Sequence, residues 1–287
     1  MDDIAVIRQL FIGISSGMVI FLMAAGVSLV MSGMNVINFG QGAFFMLGAF
    51  LCYSISHFLN FWWALLIAPL VVAALGGVVA LMLKPLYGKN MLNQLLLTMG
   101  VAFVMIDGMQ TIWGKEIKIV TVPAFLHSSV AILGLDFPSY YIAIIVISAL
   151  FAIGLWLMFE KTKLGMMFRA IISDREMVEN LGVNVGLLLN VMFMFGVWLS
   201  GVAGVLMAPI IGIDAQFSMQ VLFLVMTALI IGGLTSMRGA FWGALIVGIA
   251  NAIGSLYLSW FYTLVPAVLM IIVLLVKPEG LFVKTRE

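Results

Sequence analysis

Charge vanishes from this chain over long windows. No Asp, Glu, Lys or Arg occurs from Gln9 to Leu83, from Phe137 to Phe159, from Asn180 to Ile213, from Ala215 to Met237, or from Gly239 to Val276. An α-helix needs about 20 apolar residues to cross the hydrocarbon core of a bilayer. With no water there to satisfy backbone polar groups, the helix is the natural form for such a window. The windows accommodate three, one, one, one and two crossings, and a further one fits between Met91 and Trp113, interrupted by Asp107. Composition agrees: 64% of residues are hydrophobic and 9% charged, against about 25% charged in soluble domains. The expectation is an all-α polytopic membrane protein of eight or nine transmembrane helices, at about 9–33, 37–59, 62–83, 91–113, 139–160, 187–210, 218–234, 239–256 and 259–276. The last two are squeezed into one uncharged window broken near "SLYLSW", so one of them reads as a half-span or re-entrant piece.

Positional charge gives an orientation. With a cytoplasmic C-terminus and nine crossings, Lys84, Lys89, Lys161, Lys163, Arg169, Arg175, Arg238, Lys277, Lys284 and Arg286 face inward, leaving Arg8, Lys115 and Lys118 outside. The positive-inside rule therefore favours an outer N-terminus. The first residues carry Asp2 and Asp3 and no small-residue cleavage site follows, so the first apolar run reads as a retained span. A net charge of +1 gives no reason to invoke nucleic acid. A lone Cys52 excludes an intrachain disulfide.

An internal repeat is visible. "QGAFFMLGAF" at 41–50 and "RGAFWGALIV" at 238–247 share a Gly-Ala-Phe-aromatic core, each after a Gly-containing break. Paired interrupted segments of this kind point to a transporter's binding path. Gly13-x-x-x-Gly17 and Gly239-x-x-x-Gly243 allow close helix contact.

One stretch breaks the oily pattern. "KTKLGMMFRAIISDREMVENLGVNVG", residues 161–186, holds four of the thirteen Lys and Arg. Ser173-x-x-Glu176 has the spacing of a capping box, and Gly182 suits a helix C-terminus. Two short helices are expected, at about 163–172 and 174–181, with a corner at Ser173. Leu164, Met167, Phe168 and Ile171 form one apolar face on the first. Two readings stay open: a docking piece for another protein, or a solvated loop on lipid headgroups.

The spacing Thr162-x-x-Gly165-x-x-x-Arg169-Ala170-x-x-x-Asp174, followed by Gly182-Val183-Asn184, resembles the cytoplasmic loop of permease subunits in the branched-chain amino-acid ABC importer family, the LivH type. Residues 26–50, "LSGVAGVL" (199–206), "IGGLTSMRGAFWGALIVG" (231–248) and "VKPEGLF" (276–282) resemble further stretches of that family, in order along almost the whole chain. The resemblance implies one permease domain over 1–287, with 161–186 as the element gripped by a cytoplasmic ATPase. Gly165 would permit close approach. Arg169, Asp174 and Glu176 would bind the partner or brace the two helices, with Ala170 and Gly182 completing the motif. It also implies two ATP-binding subunits, a second homologous permease forming a heterodimeric pore, an extracytoplasmic solute-binding protein, and a bacterial inner membrane. The substrate would be a branched-chain amino acid, or a urea, amide or aromatic acid. The family usually carries His where this chain has Gln41.

Asn35, Asn38 and Gln41 bring amides to the first Gly break, and Asp107 places a carboxylate inside a span, where charge is costly. All four are candidates for a solute path. Asp107 reads equally as an interfacial carboxylate reaching water or pairing with Lys115. No catalytic or cofactor constellation is visible. "GMQTIWGK" at 108–115 superficially resembles a phosphate-binding loop, yet its glycine spacing is wrong and Glu116 stands where Ser or Thr is required. His57 and His127 lack companion ligands, and the 22 methionines fit adaptable packing. The alternative reading is an autonomous secondary transporter or channel.

Overall fold

In the computed structural model, which describes residues 2–87, 91–126, 128–132, 135–257 and 261–282, each expected span contains a helix. These are α1 (Asp2–Met34), α2 (Gln41–Phe58), α3 (Phe61–Leu83), α4 (Met91–Trp113), α5 (Ser139–Lys161), α8 (Val185–Met207), α9 (Phe217–Gly232), α10 (Met237–Tyr257) and α11 (Val265–Val276). The polar stretch forms α6 (Lys163–Ser173) and α7 (Arg175–Asn180). Lys89, His127, Lys284 and Arg286 lie outside the described residues.

The expected segments, including the shortened ones, differ in length. Six helices, α1, α3, α4, α5, α8 and α10, are long and apolar enough to cross a membrane. The other three are shorter: α2, α9 and α11 have 18, 16 and 12 residues, or about 27, 24 and 18 Å at 1.5 Å per residue. At that length α11 covers little more than half of a roughly 30 Å core, the half-span anticipated near the chain's end. The break before α2 is larger than the hydropathy suggests. Residues 35–40 are non-helical, and Asn35 leaves α1 at φ +57°, a left-handed turn that Asn tolerates better than most side chains.

The first helix is the centre of the molecule. Every residue of α1 from Gly17 to Val30 is buried, as expected for a helix enclosed by others on all sides. It packs most extensively on α10 and α8, and also on α5 and α9. Glycine lets the backbones meet. A Cβ on Gly26 would stand 2.4 Å from the Gly196 carbonyl oxygen of α8, and one on Gly248 of α10 would stand 2.5 Å from Gly17 Cα. Both expected Gly-x-x-x-Gly pairs are contact surfaces, Gly13 and Gly17 against α10, and Gly239 and Gly243 against α9.

At the other end of the chain, Gly280 (φ +94°) lies against Gly233, and the Leu281 amide donates to the Ile231 carbonyl at 2.8 Å. The loop between α4 and α5 adds a feature the sequence reading did not anticipate, an antiparallel ribbon of β1 (Ser129–Ile132) and β2 (Leu135–Pro138). Nearby, Lys118 and Ile213 exchange backbone hydrogen bonds, tying that loop to the one after α8.

Candidate functional site

The polar corner is a folded object. Thr162 ends α5 and opens α6: its hydroxyl donates to the Met158 carbonyl at 2.6 Å and accepts from the Gly165 amide at 3.1 Å. The second cap falls on Asp174, one residue later than expected. Ser173 remains the last residue of α6, and Asp174 Oδ1 accepts from the Met177 amide at 2.9 Å. A carboxylate at the N-cap also faces the positive end of the helix dipole, which favours it over the neighbouring hydroxyl. Asn184 Oδ1 then caps α8, accepting from the Leu187 amide at 3.0 Å. Gly182 takes φ +79° and donates to the Glu179 carbonyl at 3.1 Å, as its position at a helix end requires. Three side-chain caps in 23 residues make the corner rigid.

The other motif residues face inward or backward. A Cβ on Gly165 would lie 2.3 Å from the Met158 carbonyl oxygen and 2.4 Å from that of Phe159. Its close approach is therefore to the end of α5 within the same chain. The Arg169 guanidinium donates to the Phe159 carbonyl and lies 3.9 Å from the Glu160 carboxylate. It thus neutralises the C-terminal end of α5, where carbonyls lack helical partners. Ala170 is half-buried, its carbonyl accepting from the Asp174 amide. Glu176 is exposed in the first turn of α7.

The apolar face of α6 is rotated from expectation. Gly165, Phe168 and Ile171 are buried, joined by Val178 from α7, whereas Leu164 and Met167 point outward. The outer surface gathers Met166, Met177 and Leu181, at 61%, 60% and 70% exposure. These knobs stand among Lys163, Glu176 and Glu179, which are exposed too. Beside the corner, the Tyr87 hydroxyl lies 2.8 Å from Asn190 Oδ1, binding the turn after α3 to α8. Burial pushes that hydroxyl up to about 12, partly offset by the Arg175 charge, so it remains a neutral donor.

The four candidate path residues separate into two groups. Asn38 and Gln41 are fully buried and hydrogen-bonded. Asn38 Oδ1 accepts from the Gly40 amide and its Nδ2 donates to Gln41 Oε1, each at 2.9 Å. Gln41 Nε2 donates to the Gly196 carbonyl at 2.9 Å and to Ser200 Oγ. The Phe39 amide donates to Thr98 Oγ1 at 3.3 Å. The amides thus pin the start of α2 to α8 and α4, at the level where Gly26 meets Gly196. This also accounts for Gln41 itself: a neutral imidazole offers one donor and one acceptor, whereas this position uses two donors and one acceptor. Thr98, Gly196 and Ser200 were not singled out by sequence. Small and hydroxyl residues in an apolar run carry no mark of their role until a partner is placed beside them.

Asn35 and Asp107 are exposed. The Asp107 backbone carbonyl accepts from Thr111 Oγ1 at 2.9 Å, and among the described residues its carboxylate has no ion pair with Lys115. No grouping of three or more metal-ligating side chains exists among the described residues.

A bundle of apolar helices with broken segments and one capped polar corner defines a multi-pass membrane protein. The family model described as "Branched-chain amino acid transport system / permease component" matches residues 9–274, and the chain belongs to that family. It is 26% identical over 293 residues to the high-affinity branched-chain amino acid transport system permease protein LivH of Escherichia coli K12, covering 96% of this chain and 94% of that one. It is 26% identical to BraD of Pseudomonas aeruginosa, a permease protein of the same description, over 96% and 95% of the two chains. A probable LivH of the archaeon Methanocaldococcus jannaschii is also 26% identical, over 91% and 87%. No solved structure matches the chain significantly.

Proposed function

We propose that this chain is the membrane subunit of an ATP-binding-cassette importer, translocating branched-chain amino acids or a related small solute delivered by a soluble receptor. The observation that carries the reading is the family match along 9–274 together with a triply capped corner whose outer face exposes Met166, Met177 and Leu181 among charged side chains. A solvated loop on headgroups has no need of three caps. A corner that transmits force between two proteins does, because a compliant one would absorb the displacement it should pass on. In this reading Met166, Met177 and Leu181 enter a cleft of a cytoplasmic ATPase, Glu176 lies at the rim, and Gly165, Arg169, Ala170, Asp174 and Gly182 hold the corner's shape. Two such ATPases and a second permease complete the assembly, with the C-terminus cytoplasmic. The chain itself performs no hydrolysis. Asn38 and Gln41 fix the start of α2 at membrane depth, and Asn35 and Asp107 are the path candidates that remain accessible.

Arg169 and Asp174 brace the corner, so replacing them would confound folding with contact. Met166→Glu combined with Leu181→Glu alters only exposed side chains. The ATPase subunit that co-purifies with the wild-type complex is expected to be lost from this variant while thermal unfolding is unchanged. Retention of the ATPase, or solute flux by this chain alone in ATP-free liposomes, would sink the reading.

A further inference from the structure

A cleft of about 360 Å³ opens between the end of α5, α6 and the start of α10. Its walls are apolar and aromatic, with Leu155 and Trp156 on one side and Phe241 and Trp242 on the other; Arg169, Arg238 and Glu160 stand at its rim. Trp156 and Trp242 are 57% and 50% exposed. Along α5 the apolar surface continues through the exposed Ile153 and Leu150.

The charges at the rim do not cancel. Glu160 is near Arg169, which is also held by the Phe159 carbonyl. Arg238 is exposed, and among the described residues it makes no hydrogen bond or ion pair. It occupies the first turn of α10, the positive end of a helix dipole, where a cation is disfavoured unless an anion accompanies it. Guanidinium groups match phosphate oxygens with paired donors. Tryptophan favours the membrane interface, and α5 ends and α10 begins at this level, which places the rim beside lipid headgroups.

We propose that this cleft binds an anionic phospholipid, its headgroup phosphate between Arg238 and Arg169 and an acyl chain along Trp156 and Trp242. A free anion would gain nothing from the apolar walls, and a zwitterionic lipid brings the same phosphate but sets its quaternary ammonium against the two guanidinium groups. Because Arg169 belongs to α6, an occupied cleft braces the polar corner. The inference does not depend on which side of the membrane the corner faces, nor on the identity of the transported solute.

The test is native mass spectrometry of the full-length chain in detergent, titrated with phosphatidylglycerol, with phosphatidylcholine of the same acyl chains, and with inorganic phosphate. Phosphatidylglycerol is expected to bind about tenfold more tightly than phosphatidylcholine, because it sets no cation against the two guanidinium groups. Arg238→Gln is expected to erase most of that preference. Arg238→Lys keeps the charge without the planar fork, gives an intermediate value, and carries the test if the Gln variant does not assemble. Equal binding of the two lipids, or an unchanged preference in Arg238→Gln, overturns the proposal. Displacement of the lipid by inorganic phosphate at comparable concentration overturns it in favour of a free-anion site. Loss of a co-purifying ATPase from Arg238→Gln with lipid binding intact assigns Arg238 to a protein contact instead.

Discussion

Gly165 shows how a residue's role can differ from what its motif suggests. In the motif it appears beside charged residues, and close approach to a partner protein is the natural reading. In the fold the partner is the chain's own backbone, with two carbonyl oxygens of α5 within 2.4 Å of an added Cβ. Gly165→Ala is therefore expected to lower stability by about 1–3 kcal/mol, as overpacking of a close contact does, seen as a reduced thermal unfolding midpoint. An unchanged midpoint would mean that the α5–α6 contact is looser than drawn. Gln41 makes a similar point. From sequence it reads as one of the amides at the first Gly break, a candidate for the solute path, whereas in the fold it supplies the donors that hold α2 to Gly196 and Ser200.

The elements were legible where hydropathy alone decides them. Helices α3 and α4 match their expected spans to within a residue, because charged or polar residues stand just beyond each apolar run. The two short helices of the corner were also legible from their caps, with an error of one residue. Ser173 and Asp174 both carry capping groups, and only backbone geometry decides which is used. Asp174→Ala is expected to cost about 1 kcal/mol in α7, measured as faster amide exchange across Arg175–Asn180, while Asp174→Asn keeps most of the protection. Equal exchange in both variants would remove the cap from the account. The apolar face of α6 was misjudged because periodicity gives the spacing of a stripe but not which side meets α5. The ribbon β1–β2 was missed because four-residue strands in a short loop carry almost no periodic signal.

For the whole molecule, the number of spans was readable and their arrangement was not. Lipid and protein interior are equally apolar, so nothing in composition distinguishes the buried centre, α1, from the largely exposed α4. Glycines such as Gly26 and Gly196 were the available clue, and identifying which glycine meets which requires the fold. Orientation belongs to this scale as well. Single cysteines replacing Arg8 and Lys163, in a Cys52→Ala background, are expected to react with an impermeant thiol reagent from the outer and inner faces respectively. Labelling of both from one face would overturn this orientation.

The buried position of α1 bears on how the protein is made. Gly17 packs against Gly248, and Gly26 against Gly196, so this helix awaits neighbours that leave the ribosome well after it does. At 5–20 residues per second, α10 follows on the order of 10–50 s later. Throughout that interval the face of α1 notched by Gly13 and Gly17 lacks its partner α10, and biogenesis must shelter that face until α10 is inserted.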